Sequence, residues 1–152
     1  MVIYLGCSLD DIFFGLAISD VIQLLGNPNK INEDEREGFI VYYYNKKMAK
    51  FYFSLEGHNK LYTIEVFHPD TYLWNQKVIG MRMSEIEELL KENSLYTEGV
   101  EDYDYFEAIF CREIWSVFCF EYDRLKSIEF SVLCDENNNL IWPKKRLKFH
   151  AF

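Results

Sequence analysis

The 152-residue chain is 49% hydrophobic and 27% charged, which excludes a disordered or collagen-like protein. Its formal charge of −9 repels nucleic-acid phosphates and anionic membrane surfaces and steers basic partners inward. No stretch approaches the roughly 20 apolar residues that cross a bilayer, and none is rich in Gly, Ser or Pro, so one domain without a linker is expected.

The N-terminal MVIYLGCSLDD has no basic segment and too short an apolar run for a signal peptide, and the expected location is cytoplasmic. The next stretch, FGLAISDVIQLLGNP (14–28), is read as a helix. Ile18, Val21, Ile22, Leu24 and Leu25 recur at helical spacing behind Ser19-Asp20, a candidate N-cap region, and Gly26 and Pro28 supply the stop. Three aromatic and β-branched runs follow at 38–45, 48–56 and 60–68, separated by polar turns and read as an antiparallel meander. A similar order returns with IGMRMSEIEELLKEN (79–93), where Met83, Ile86, Leu89 and Leu90 make the stripe and Ser84 and Glu87 a capping box. Runs at 104–110, 114–122 and 124–133 complete it. Gly15 and Gly80, Ser19 and Ser84, Leu24 and Leu89, and Leu25 and Leu90 coincide when the two stretches are aligned.

The expected fold class is therefore α+β. A tandem repeat of a short helix plus an antiparallel three-stranded meander, at about 12–68 and 77–133, forms one continuous antiparallel sheet with both helices on one face. A basic segment at 140–152 ends this single domain, with Lys144, Lys145, Arg146 and Lys148 and no acid.

The sequence names no reaction. It contains no phosphate-binding glycine loop, no G-x-S-x-G and no H-E-x-x-H. Cys7, Cys111, Cys119 and Cys134 form no C-x-x-C pair and are read as small buried hydrophobes. His58, His68 and His150 are far apart in sequence. No catalytic residue, metal ligand or cofactor is expected; a small hydrolase using Cys119 or the sheet carboxylates is the weakest reading.

The glycine-led helix, matched at Gly15 to Pro28 and Gly80 to Leu90 and followed by a meander, resembles the β-lactamase inhibitor protein and the small outer-membrane assembly lipoproteins that share its fold. The resemblance implies two units in tandem and a partner gripped on a concave sheet surface. The chain departs from the pattern where Lys91-Glu92-Asn93 stands in place of Gly-x-Pro, and in lacking the inhibitors' disulfides. A small acidic chain of this kind also resembles bacterial toxin immunity proteins, which implies a basic toxin domain as partner.

Strand alternation divides each run into two faces. The face away from the helices is expected to carry Tyr42, Tyr44, Tyr52, Glu65, Tyr105, Glu107, Trp115, Glu121 and Glu129. Tyrosine and tryptophan anchor interfaces at low rotamer cost, and carboxylates among them select a cationic partner. The acidic stretches 32–37 and 97–105 are read as loops at corresponding corners. The function expected is non-enzymatic inhibition of a basic protein partner by covering its active site, with an assembly module of the same fold as the alternative.

Overall fold

The computed structural model describes residues 1–34 and 37–144; Lys145, Arg146 and Lys148 of the basic segment lie outside the described residues. Strands β1 (Ile3–Tyr4), β2 (Ser8–Leu9) and β3 (Ile12–Phe13) form a small antiparallel sheet, followed by helix α1 (Ile18–Leu25). Next come β4 (Lys30–Asp34), β5 (Phe39–Tyr44), β6 (Ala49–Ser54) and β7 (Leu61–Val66). A ribbon of β8 (Tyr72–Leu73) and β9 (Gln76–Lys77) leads to helix α2 (Met83–Glu92). Strands β10 (Val100–Asp102), β11 (Glu107–Cys111), β12 (Ser116–Glu121) and β13 (Arg124–Ser131) follow, and β14 (Leu133–Cys134) pairs with β15 (Leu140–Ile141).

The main sheet has eight strands in the order β10-β11-β12-β13-β7-β6-β5-β4, and every pairing is antiparallel. At its centre β7 meets β13, with Ile64 opposite Phe130 and Glu65 opposite Glu129. This corrects the expected α+β repeat of a helix plus three strands. Among the described residues the chain is mostly β, 44% strand with two α-helices, and the helix-plus-three-strand unit is not what it builds. The added edges are β4, which overlaps the first of the acidic stretches read as loops, and β10, which lies in the second. Charge concealed them, because an edge strand tolerates charge on both faces where a central strand does not. Three two-residue ladders also lay below the length at which alternation is visible.

The helix starts differ from the expected caps. Ala17 and Arg82 occupy the N-cap positions, and their backbone N–H groups donate to Asp20 Oδ2 and Glu85 Oε1 at 3.1 Å each. Ser84 and Glu87 form no capping box. An acid at the third helical position satisfies the donor and complements the positive helix end. Gly26 closes α1 as expected, its N–H donating to the Ile22 carbonyl at 2.7 Å.

Burial follows the pleat. One core row crosses the sheet from Tyr42 through Phe51, Ile64, Phe130 and Ser116 to Cys111. Val21 of α1 and Ile86, Leu89 and Leu90 of α2 join the same apolar cluster, with Leu9, Phe13 and Phe14 from the N-terminal segment. Phe14 meets Phe130 edge-on at 5.5 Å between ring centroids. Each such aromatic or aliphatic side chain contributes about 2 kcal/mol by leaving water. The side chains left outside this core belong to the other face.

Candidate interaction face

The alternate register row on the other face runs Lys30, Tyr43, Lys50, Glu65, Glu129, Val117 and Phe110, one residue from each successive strand from β4 to β11. Two carboxylates thus stand directly opposite each other at the joint between β7 and β13, where like charges disfavour the pairing. Lys50 Nζ lies 3.3 Å from Glu65 Oε1. Lys50 and Lys30 also cap the Tyr43 ring at 5.3 Å and 5.2 Å. No ion pair among the described residues includes Glu129.

The neighbouring row runs Asn32, Val41, Tyr52, Thr63 and Ser131. The Thr63 and Ser131 hydroxyls share a 2.8 Å hydrogen bond, and Phe39 packs edge-on against Tyr52 at 6.0 Å. A concavity of about 340 Å³ opens here, lined by Phe39, Val41, Tyr43, Tyr52, Thr63 and Glu129, among others.

Electrostatics mark Glu129 as the strained member of this face. Burial raises its carboxyl above the usual glutamate range, Glu65 across the strand raises it further, and Lys50 opposes the change. Burial likewise raises the Tyr52 phenol, helped by Glu65, Glu129 and Tyr43, so Tyr52 stays a neutral O–H donor beside two carboxylates. Cys119, on the row beyond, has its thiol pushed up by burial while a Ser127 hydrogen bond opposes. A raised thiol holds less of the nucleophilic thiolate, so Cys119 is poorly prepared for the hydrolase role considered above. Among the described residues no three His, Cys, Asp or Glu side chains converge to hold a metal ion.

The nine residues expected on one face separate. Tyr52, Glu65 and Glu129 lie together at its centre. Tyr42 and Tyr44 belong to the core: the Tyr42 ring meets Phe53 edge-on at 5.2 Å, and the Tyr44 hydroxyl donates to the Gly26 carbonyl at 2.9 Å. Burial, with Tyr42 beside it, pushes the Tyr44 phenol up to about 12. The run FIVYYY does not alternate, so its sequence left the facing of β5 open. Glu107 pairs with buried Phe120 and so lies on the helix-side face, because Ile109 and Cys111 of the same strand fill the core. Tyr105 sits in the loop between β10 and β11, 88% exposed, and Glu121 is exposed at the end of β12. Trp115 lies at the far end, in the connection from β11 to β12, its ring 6.1 Å from Phe110. Sequence reasoning missed Tyr43 and Lys50, although the alternation of β6 already set Lys50 beside Tyr52.

No family model matches the chain, and no curated protein matches it. Among solved structures, it is similar to an extracellular protein containing a SCP domain from Bacillus anthracis str. Ames. That likeness has 15% identity and a TM-score of 0.52, covering 86% of this chain and 49% of the other. A cysteine-rich secretory protein from Staphylococcus aureus subsp. aureus Mu50 matches with 14% identity and a TM-score of 0.48, over 77% of this chain and 42% of the other. A DUF4309 family protein from Bacillus subtilis subsp. subtilis str. 168 matches with 16% identity and a TM-score of 0.45, over 76% of this chain and 77% of the other. The chain thus shares a fold with the first of these and spans about half its length.

These likenesses correct the resemblance to the β-lactamase inhibitor protein and the outer-membrane assembly lipoproteins, none of which is among them. The α+β tandem-repeat picture of an immunity protein goes with it. The residues that suggested it were turn, cap and core positions, which many short helices share.

Proposed function

We propose that the chain is a protein-binding module whose open sheet face receives a cationic side chain of a basic partner. The observation that carries this reading is the Glu65–Glu129 pair, two half-buried carboxylates face to face with one lysine paired to Glu65. Folding alone gains nothing from such a pair, whereas a partner's ammonium or guanidinium offsets the repulsion on arrival. Tyr43 and Tyr52 flank it with ring surface and a neutral hydroxyl, the side chains that concentrate binding energy at interfaces. Seated on a partner whose cationic cleft is catalytic, this face inhibits by occlusion.

The test is calorimetric titration of the full chain with an arginine-containing peptide, before and after Glu129→Gln. The substitution keeps shape and removes charge, and binding is expected to weaken about tenfold or more. Wild-type binding should also weaken with added salt. Equal binding by both proteins, or preference for a glutamate-containing peptide, refutes the proposal.

A further inference from the structure

The opposite half of the sheet ends in a surface that the open face does not explain. Four large rings stand out of the protein where the β10–β11 and β12–β13 hairpins turn: Tyr103 is 47% exposed, Tyr105 88%, Phe106 40% and Tyr122 93%. Exposed aromatic side chains gathered at one place mark interaction sites, whereas the same residues scattered singly need no explanation.

Two of the four rings are ordered against each other. Tyr103 stacks on Phe106 at 4.6 Å between centroids, with the planes 16° apart, and its hydroxyl donates to Glu101 Oε2. Tyr103 N–H also donates to the Phe106 carbonyl at 2.8 Å, which closes the turn that carries Tyr105. Two shallow concavities of about 310 and 290 Å³ adjoin here, sharing Tyr105, Phe106, Phe120 and Glu121 between them. Buried Phe120 contributes to both. Two hollows separated by a ring suit two successive anchors of an extended chain.

Charge decides what covers this surface. Asp102, Asp104 and Glu107 line the first hollow with Glu121, and no cation does. The second is lined by one cation, Lys126, and one carboxylate, Glu121. Beside them β10 is an edge strand, exposed along its whole length, with Val100 and Asp102 flanking Glu101. An uncapped edge offers main-chain pairing to an incoming strand.

We infer that this corner docks an extended, basic polypeptide segment of a partner, its apolar side chains in the two hollows and its cations against the surrounding carboxylates. The inference stands on residues other than Glu65 and Glu129, so it and the open-face reading fail separately.

The experiment is an NMR titration of the isotope-labelled full chain with a synthetic peptide of alternating arginine and leucine, and with a glutamate–leucine peptide as control. The expected result is that the arginine peptide shifts backbone signals of residues 101–107 and 120–123 while the glutamate peptide does not. Tyr105→Ser with Tyr122→Ser should weaken that binding about tenfold. Both rings lie almost wholly in solvent, so an unchanged melting curve will confirm that the variant is folded. Glu129→Gln should leave these shifts in place. Binding by the control peptide, shifts confined to the Tyr52–Glu129 face, an unaltered affinity in the double variant, or no binding at all overturns the inference.

Discussion

At Glu129 two demands conflict, and the conflict is measurable. Its carboxyl is raised by burial and by Glu65, so the folded chain holds this proton to higher pH than the unfolded chain does. The stability contributed by the protonated form is therefore complete below the ordinary glutamate range and is lost as pH rises through Glu129's raised value. Glu129→Gln keeps the uncharged state at every pH. The variant should be more stable than wild type at neutral pH, by up to about 1 kcal/mol, and the difference should vanish in acid. Thermal melts of both proteins across that pH range check this, and an identical pH dependence would show that the pair carries no strain. Tyr44 shows the reverse error of inference from residue type. It looked like an interface tyrosine but is committed to the core by its hydrogen bond to Gly26. An unbroken tyrosine run gives no period from which to choose a face, while the alternating β6 set Tyr52 correctly.

Among the elements, the two helix starts share backbone geometry and differ in what surrounds them. Gly15 and Gly80 both have φ of +94°, and their N–H groups donate to Leu61 and Leu125 carbonyls at 2.9 and 2.8 Å. A Cβ on Gly15 would lie 3.1 Å from the Trp142 ring, whereas one on Gly80 would meet nothing within 4 Å. Alanine at either position costs about 1–2 kcal/mol from the left-handed backbone, and Gly15→Ala should cost more because Trp142 must shift. Denaturant unfolding of the two variants compares them, and equal losses would remove Trp142 from the account. The central strands were legible because their apolar spacing is regular and their turns polar. Strands β4 and β10 were not, since an edge can be acidic throughout, as Val100–Asp102 nearly is. Nor were the true caps, because Ala17 and Arg82 carry no capping side chain and only the following acid reveals them.

For the whole molecule, joining β7 to β13 is the step that creates the candidate site. Antiparallel register across the joint sets Glu65, from the first half of the chain, opposite Glu129, from the second, with Lys50 one strand away. That juxtaposition spans distant parts of the sequence, which is why the sequence named Glu65 and Glu129 for the open face but not their pairing. The same sheet separates the central carboxylates from the aromatic corner at β10–β13, so a partner can engage one without the other. The most direct measurement is the titration of the Glu129 side-chain carboxyl by carbon-detected NMR, in the free chain and with the arginine-containing peptide bound. A bound cation favours the ionised form, so the Glu129 pKa should begin above the usual glutamate range and fall on binding, with affinity rising as pH increases through that window. An ordinary Glu129 pKa in the free chain, or one unmoved by saturating peptide, would contradict the account.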